Sequence, residues 1–208
     1  VYTVAENAKP TIEWLEGLGA KFSVVTSSLY YGQSNYRMHL AEGSGKGLSA
    51  AMVAYLEEMG NVKVLFNTPG TGLATNEKGE VIGVYAENKE DGKLFISAKN
   101  TVLATSGFAA NKEMIEEYIP EMKYAYPLVA PGATGEGILW AAELGASLQN
   151  MGAYQGHAFH CIDNGTTGEQ GIANNGGIMV NPGGNRFMNE YGGYSELSPH
   201  VLAQTDHV

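Results

Sequence analysis

Arginine is almost missing from this chain: among 208 residues only Arg37 and Arg186 carry a guanidinium. Recognition of a compound with two carboxylates normally uses bidentate guanidinium forks, and this sequence cannot supply several of them. Lys plus Arg number 12 against 22 Asp plus Glu, a formal net charge of −10. That balance excludes a nucleic-acid partner, because neutralising phosphates requires a basic face. The one cysteine, Cys161, excludes an internal disulfide and leaves the redox compartment open. It reads as a small buried hydrophobe. No apolar run approaches the roughly 18 residues of a membrane-spanning helix, and no signal peptide is visible. No metal site is expected.

What is present is a globular composition of 44% hydrophobic residues, long enough for one or two domains with a core. Residues 11–19 read as a short helix with Pro10 at its first turn, Ile12, Leu15 and Leu18 on one side and Gly19 as the stop. Gly43-Ser44-Gly45-Lys46-Gly47 lacks phosphate-loop spacing, since Leu40 stands where the first glycine is needed, and reads as a loop and helix start. Leu48, Met52, Tyr55, Leu56 and Met59 follow helical spacing up to Gly60. Residues 61–66, 80–87 and 93–98 are strand-like and separated by turn signals at Lys78-Gly79 and Asp91-Gly92, the pattern of an antiparallel meander. Residues 101–105 (TVLAT) are apolar on both faces, as in a buried strand of a parallel sheet.

Asn111 caps an expected helix through Met114, Ile115 and Tyr118 that Pro120 closes. Tyr, Pro and Gly then rise through 123–137, where a domain crossing is expected. The following helix carries a narrow face of small residues at Ala141, Ala142 and Gly145. From 162 to 193 glycine is dense and 177–181 is the only clear strand; 163–168 looks least ordered, and 195–204 is compatible with a final helix.

The segment 176–194 (GGIMVNPGGNRFMNEYGGY) joins a short strand, a glycine turn and an Arg-Phe-x-Asn-Glu block, with Tyr194 four residues after Glu190. Together with Gln155-Gly156-His157 and 102–114 (VLATSGFAANKEM), it resembles the flavoprotein family of fumarate reductases, flavocytochrome c-type reductases and 3-ketosteroid dehydrogenases. The resemblance runs along nearly the whole chain and implies FAD as cofactor. It implies an α/β (mixed α+β) fold, with residues 1–121 as part of a Rossmann-like FAD-binding domain carrying the meander and 122–208 as part of a capping, substrate-side domain. The family opens with G-x-G-x-x-G, which holds the cofactor pyrophosphate. This sequence has no such motif, so it reads as an internal fragment that by itself holds FAD weakly or not at all.

By that resemblance Ala104, Thr105, Ser106 and Gly107 match the family's A-T-G-G-F beside the cofactor, with Ser106 in place of the commoner glycine. Glu136, in 131–137 (PGATGEG), stands where the family's T-G-D-G places an acidic flavin contact, and Gly70 matches a loop near the adenine. His157 corresponds to a substrate-holding histidine, although Ala158-Phe159 replaces the usual Pro-Thr. Tyr194 replaces the arginine that serves fumarate reductases as proton donor, and Gln170 and Ala173 stand where its Glu and Arg relay is expected. An N-E-x-x-x-Y arrangement is instead similar to the 3-ketosteroid dehydrogenases, whose phenol lies near the substrate carbon. A phenol is a poor base at neutral pH unless its anion is stabilised, but serves as a hydrogen-bonding acid. Arg186 and Glu190 read as a structural pair anchoring the loop.

The implied activity is hydride exchange between flavin and a carbon–carbon double bond beside a carbonyl. The partners are a small molecule with an activated double bond, an electron donor and the remainder of a longer chain. A dicarboxylate reductase or a non-catalytic binding module remains an alternative. The resemblance is compatible with a soluble protein of the bacterial cytoplasm or periplasm, without choosing between them.

Overall fold

The structure is a computed structural model that describes residues 1–27, 29, 32–161, 163–168, 171–193 and 195–205, with Asn174 described by its backbone only. The chain forms two compact units, Val1–Leu65 and Phe66–Val208. Among the described residues no helix is long and apolar enough to cross a membrane.

In the first unit α1 (Tyr2–Gly17) is followed by the antiparallel pair β1 (Phe22–Val24) and β2 (His39–Ala41) and by α2 (Ser44–Met59). α1 begins well before the expected Thr11, with Pro10 in its interior. Ala5, Glu6, Ala8 and Lys9 are helix formers, and a proline on an exposed helix loses a bond without ending it. Its C-terminus is a Schellman turn: Gly19 N–H donates to Glu16 O at 2.9 Å and Ala20 N–H to Leu15 O at 3.1 Å, with Gly19 at φ +96°. α2 starts at the expected glycine cluster and stops at Gly60, as its periodicity indicates. The short β1–β2 pair has no sequence signal strong enough to have been read.

The second unit contains an antiparallel meander of β3 (Gly70–Thr75), β4 (Val81–Asn88) and β5 (Gly92–Ser97). Its turns are organised by two asparagines. Asn76 Oδ1 accepts from the backbone of Lys78 and Glu80, and Asn88 Oδ1 from that of Glu90 and Asp91. The first strand differs from the expected 61–66. That segment forms no strand, and Phe66 is 77% exposed. Residues 101–105 likewise run as unpaired backbone with Val102 85% exposed, against the expected buried strand. In both cases the apolar pattern is a strand's, but a strand exists only where a neighbour completes its ladder, and no described residue does so.

Helix α3 (Lys112–Tyr118) is capped as expected: Asn111 Oδ1 accepts from Glu113 N–H and Met114 N–H, both at 3.1 Å. A 3₁₀ turn at Pro120–Met122 follows, then α4 (Glu136–Glu143), α5 (Gly171–Asn174) and α6 (Ser198–Leu202). α5 is unexpected in so glycine-rich a stretch. The strand read at 177–181 is reduced to one bridge, Val180 to Arg186, across a turn closed by Asn181 N–H to Asn185 O at 3.0 Å. The stretch expected to be least ordered contains a bridge from His160 to Thr167. Cys161 is exposed, because it lies in that turn with its backbone N–H bonded to Thr166 O. The core includes Ala74, Ala86, Met114, Ile119, Ala133 and Leu197.

Candidate functional site

The N-terminus of α4 gathers most of the residues expected at the cofactor. Gly135, at φ +86°, caps the helix in a conformation suited to glycine. A Cβ there would meet Met114 Sδ at 2.5 Å and Phe108 Cβ at 2.9 Å. Two residues on, a Cβ at the buried Gly137 would lie 2.3 Å from Thr105 Oγ1. Two glycines thus let the 105–108 backbone and α3 close onto the helix start. Asn111 Nδ2 donates to Thr134 O at 2.9 Å and Ala110 N–H to Ala133 O at 3.0 Å, joining the two segments in register.

Glu136 opens α4, where a carboxylate complements the helix macrodipole. The Thr134 hydroxyl donates to its Oε2, and that bond, with help from backbone N–H, holds the carboxyl below its ordinary pKa. Gly70 joins the same neighbourhood from β3, since a Cβ there would touch the Trp140 ring of α4 at 3.5 Å. Ser106 has φ +65°, a left-handed conformation that costs a non-glycine residue about 1–2 kcal/mol. Gly107 is bordered by open space. Thr105 therefore meets the first turn of α4, which Glu136 opens, with Ala104 directly before it and Ser106 and Gly107 directly after it in the chain, while Gly70 lies against Trp140 farther along the same helix.

His157 belongs to a second cluster. Gly156 is buried, and a Cβ on it would lie 1.7 Å from Ser198 Oγ of α6. His157 Nδ1 accepts a hydrogen bond from Phe159 N–H at 3.1 Å, and the two rings meet edge to face. Burial, and secondarily the neighbouring His160, push the His157 pKa below its ordinary value. The His160 ring stacks on Tyr126 with centroids 4.6 Å apart. Its Nδ1 lies 3.2 Å from Thr167 Oγ1, and its Nε2 is buried with no hydrogen-bond partner among the described residues.

Farther along the chain, Glu190 is only 3% exposed. Its carboxylate accepts from Arg186 Nε at 3.0 Å, from Arg186 Nη2 at 2.5 Å and from Met179 N–H at 2.8 Å. These bonds pull its pKa down to about 2 and support the structural pairing read in the sequence. Tyr194 and Gln170 lie outside the described residues; Ala173 is buried in α5.

The described contacts connect the clusters through intermediates rather than directly. Met114 of α3 borders Gly135, and the 3₁₀ turn after α3 packs on α6. Sequence reasoning passed over the Thr105–Gly137 approach, which a doubled glycine at a helix start signals faintly. It also passed over the Tyr126–His160–Thr167 set, in which Tyr126 is far from the other two in the chain.

A family model for an FAD binding domain matches residues 1–207. The fumarate reductase (cytochrome) of Shewanella frigidimarina is 30% identical over 208 residues, a match covering 99% of this chain and 36% of that protein. The open conformation of a flavocytochrome c3 fumarate reductase aligns with a TM-score of 0.82 at 31% identity, over 97% of this chain and 36% of that one. The 3-ketosteroid-delta4-(5alpha)-dehydrogenase of Rhodococcus jostii RHA1, solved in complex with 4-androstene-3,17-dione, aligns with a TM-score of 0.74 at 25% identity, over 97% and 46%. This chain thus spans less than half the length of each of these relatives. It belongs to the FAD-binding flavoprotein family that includes the fumarate reductases and 3-ketosteroid dehydrogenases.

Proposed function

We propose that this chain is part of a flavin-dependent oxidoreductase that exchanges hydride between flavin and a carbon–carbon double bond activated by a carbonyl. Residues 1–121 contribute to its FAD-binding domain and 122–208 to its capping domain. The observation that carries the reading is the close approach of Thr105 and Phe108 to Gly137 and Gly135 at the start of α4, beside Glu136, in a chain whose family model is an FAD binding domain.

The residues fit that cofactor. Glycines pack the 105–108 backbone against the helix start, the backbone at Gly107 borders open space, and Glu136 offers a charged acceptor at the rim. When bound, FAD supplies the hydride chemistry. The chain supplies position: Ser106 and Gly107 present backbone, Glu136 accepts a hydrogen bond, and His157 contacts the substrate. Tyr194 exchanges a proton with the substrate carbon through its hydroxyl, a role carried by its place in N-E-x-x-x-Y. The exposed apolar run at 101–105 pairs with strands of the longer protein, which also meets an electron donor.

A dicarboxylate reductase is the second reading, favoured by the identity with the Shewanella fumarate reductase. Against it, Arg186 is committed to Glu190 and Ala173 carries no charge. Tyr194→Phe in the full-length protein separates a chemical role from packing, because it removes one oxygen and keeps the ring. Turnover of a substrate used by the wild type is expected to fall roughly 10²–10⁴-fold with FAD content unchanged. Near-normal turnover would make Tyr194 a packing aromatic and sink the assignment.

A further inference from the structure

We propose that Asn164-Gly165 is a site of spontaneous covalent modification, where the asparagine loses ammonia through a cyclic imide and becomes aspartate or isoaspartate, while the fold protects the second Asn-Gly pair, Asn175-Gly176. Both pairs are exposed, and a Cβ on either glycine would meet nothing within 4 Å. Access to water therefore does not tell them apart. Each glycine N–H is also bonded in a turn, Gly165 to Cys161 O at 2.9 Å and Gly176 to Ala173 O at 3.0 Å, so each must open locally before its nitrogen can react. What differs is the direction of the asparagine side chain.

Asn164 Oδ1 accepts from Thr166 N–H at 2.9 Å, which turns the side chain forward along the chain, toward the Gly165 nitrogen. The same bond polarises the side-chain carbonyl and supplies a donor to the oxyanion that forms when that carbonyl is attacked. Asn175 points the other way. Its Nδ2 donates to Gly171 O at 2.7 Å, four residues back, so its carbonyl carbon is held away from Gly176 N and its amide is tied to the helix. At Asn164 the Gly165 nitrogen gives its proton to hydroxide and bonds to Cγ; the Cγ–Nδ2 bond breaks, and Nδ2 leaves as ammonia with a proton from water. Water then opens the ring. Attack at Cγ restores the ordinary chain with an aspartate, whereas attack at the main-chain carbonyl gives isoaspartate, with an extra backbone carbon between residues 164 and 165. That carbon falls inside a closed turn, whose sides are joined by Cys161 N–H to Thr166 O at 2.9 Å and by Gly168 N–H to Phe159 O at 2.7 Å. Isoaspartate breaks this pairing, and with it the approach of Thr167 to His160. Aspartate keeps it, because a carboxylate still accepts from Thr166 N–H.

The full-length protein is incubated at mildly alkaline pH, folded or in urea, and cleaved after glutamate, which puts Asn164 and Asn175 on separate peptides because Glu169 lies between them. Mass spectrometry follows the change from amide to acid, and electron-transfer fragmentation distinguishes isoaspartate from aspartate. In the folded protein Asn164 is expected to convert roughly 10-fold faster than Asn175, the worth of one hydrogen bond. In urea the two should convert alike. Equal rates in the folded protein, faster conversion at Asn175, no conversion at Asn164, or an unchanged ratio in urea overturns the inference. Hydrogen exchange reads the consequence: protein enriched in isoaspartate at position 164 is expected to lose protection at the Cys161 and Gly168 amides, and freshly prepared Asn164→Asp to keep it. Protection retained in the isoaspartate form, or lost in Asn164→Asp, overturns the effect assigned to the turn.

Discussion

Two ends of the second unit are built by different means. Around α4 the structure rests on backbone: a sheet ladder, a capped helix, and glycines that let main chain approach main chain. Around His157 and Glu190 it rests on single side chains, with isolated bridges and helices of four and five residues in place of a sheet. Backbone-built regions distribute their stability over many bonds, so losing one is tolerable. Side-chain-built regions concentrate it, and one protonation or truncation removes several bonds together.

Acid should separate the two ends most sharply. Glu190 has its folded pKa lowered from 4.5 to about 2, so its contribution is fully present above pH 4.5 and is lost as pH falls through about 2. Hydrogen exchange on the Met179 amide, which donates to Glu190, should lose protection across that window while β4 and β5 amides keep theirs. Glu190→Gln should make the Met179 protection factor, which is corrected for intrinsic exchange, insensitive to pH there. Simultaneous loss at both ends would mean that they are one cooperative unit.

A methyl group at each close approach compares the packing. Gly137→Ala drives into Thr105 and Gly156→Ala into Ser198, and each should cost about 1–3 kcal/mol in urea unfolding. Thr105→Ala should rescue the first and Ser198→Gly the second, without cross-rescue. A neutral Gly137→Ala would show that α4 is not held closely against residues 105–108.

The smallest effect is expected at Ser106. Glycine relieves its left-handed backbone but adds unfolded-state freedom, so Ser106→Gly should change stability by less than about 1 kcal/mol, toward greater stability. A clear loss on thermal unfolding would show that the hydroxyl holds something in place.

The contrast also governs what was legible in the sequence. Helix α2, the cap at Asn111 and the turns of the meander were readable because each depends on residues within a few positions of one another. The segments 61–66 and 101–105 misled because their alternation and apolarity describe a strand's surroundings, and no described neighbour supplies them. α1 was cut short because Pro10 is a start signal or an interior defect according to residues on both sides. His157 was singled out through its resemblance to a family motif, whereas the bond its Nδ1 accepts was not legible, since it depends on where Phe159 N–H points.

By itself the sequence determined the charge balance, the poverty of guanidinium groups, the helix caps and the order of the family's motifs, all of which are local or additive properties of a chain. Only the tertiary structure decided that Gly137 must be glycine for Thr105 to approach, that Glu190 keeps a buried negative charge, and that His160 lies between Tyr126 and Thr167. Those outcomes depend on distances and burial set by packing, whether the partners are four residues apart, as Arg186 and Glu190 are, or more than thirty, as Thr105 and Gly137 or Tyr126 and His160 are.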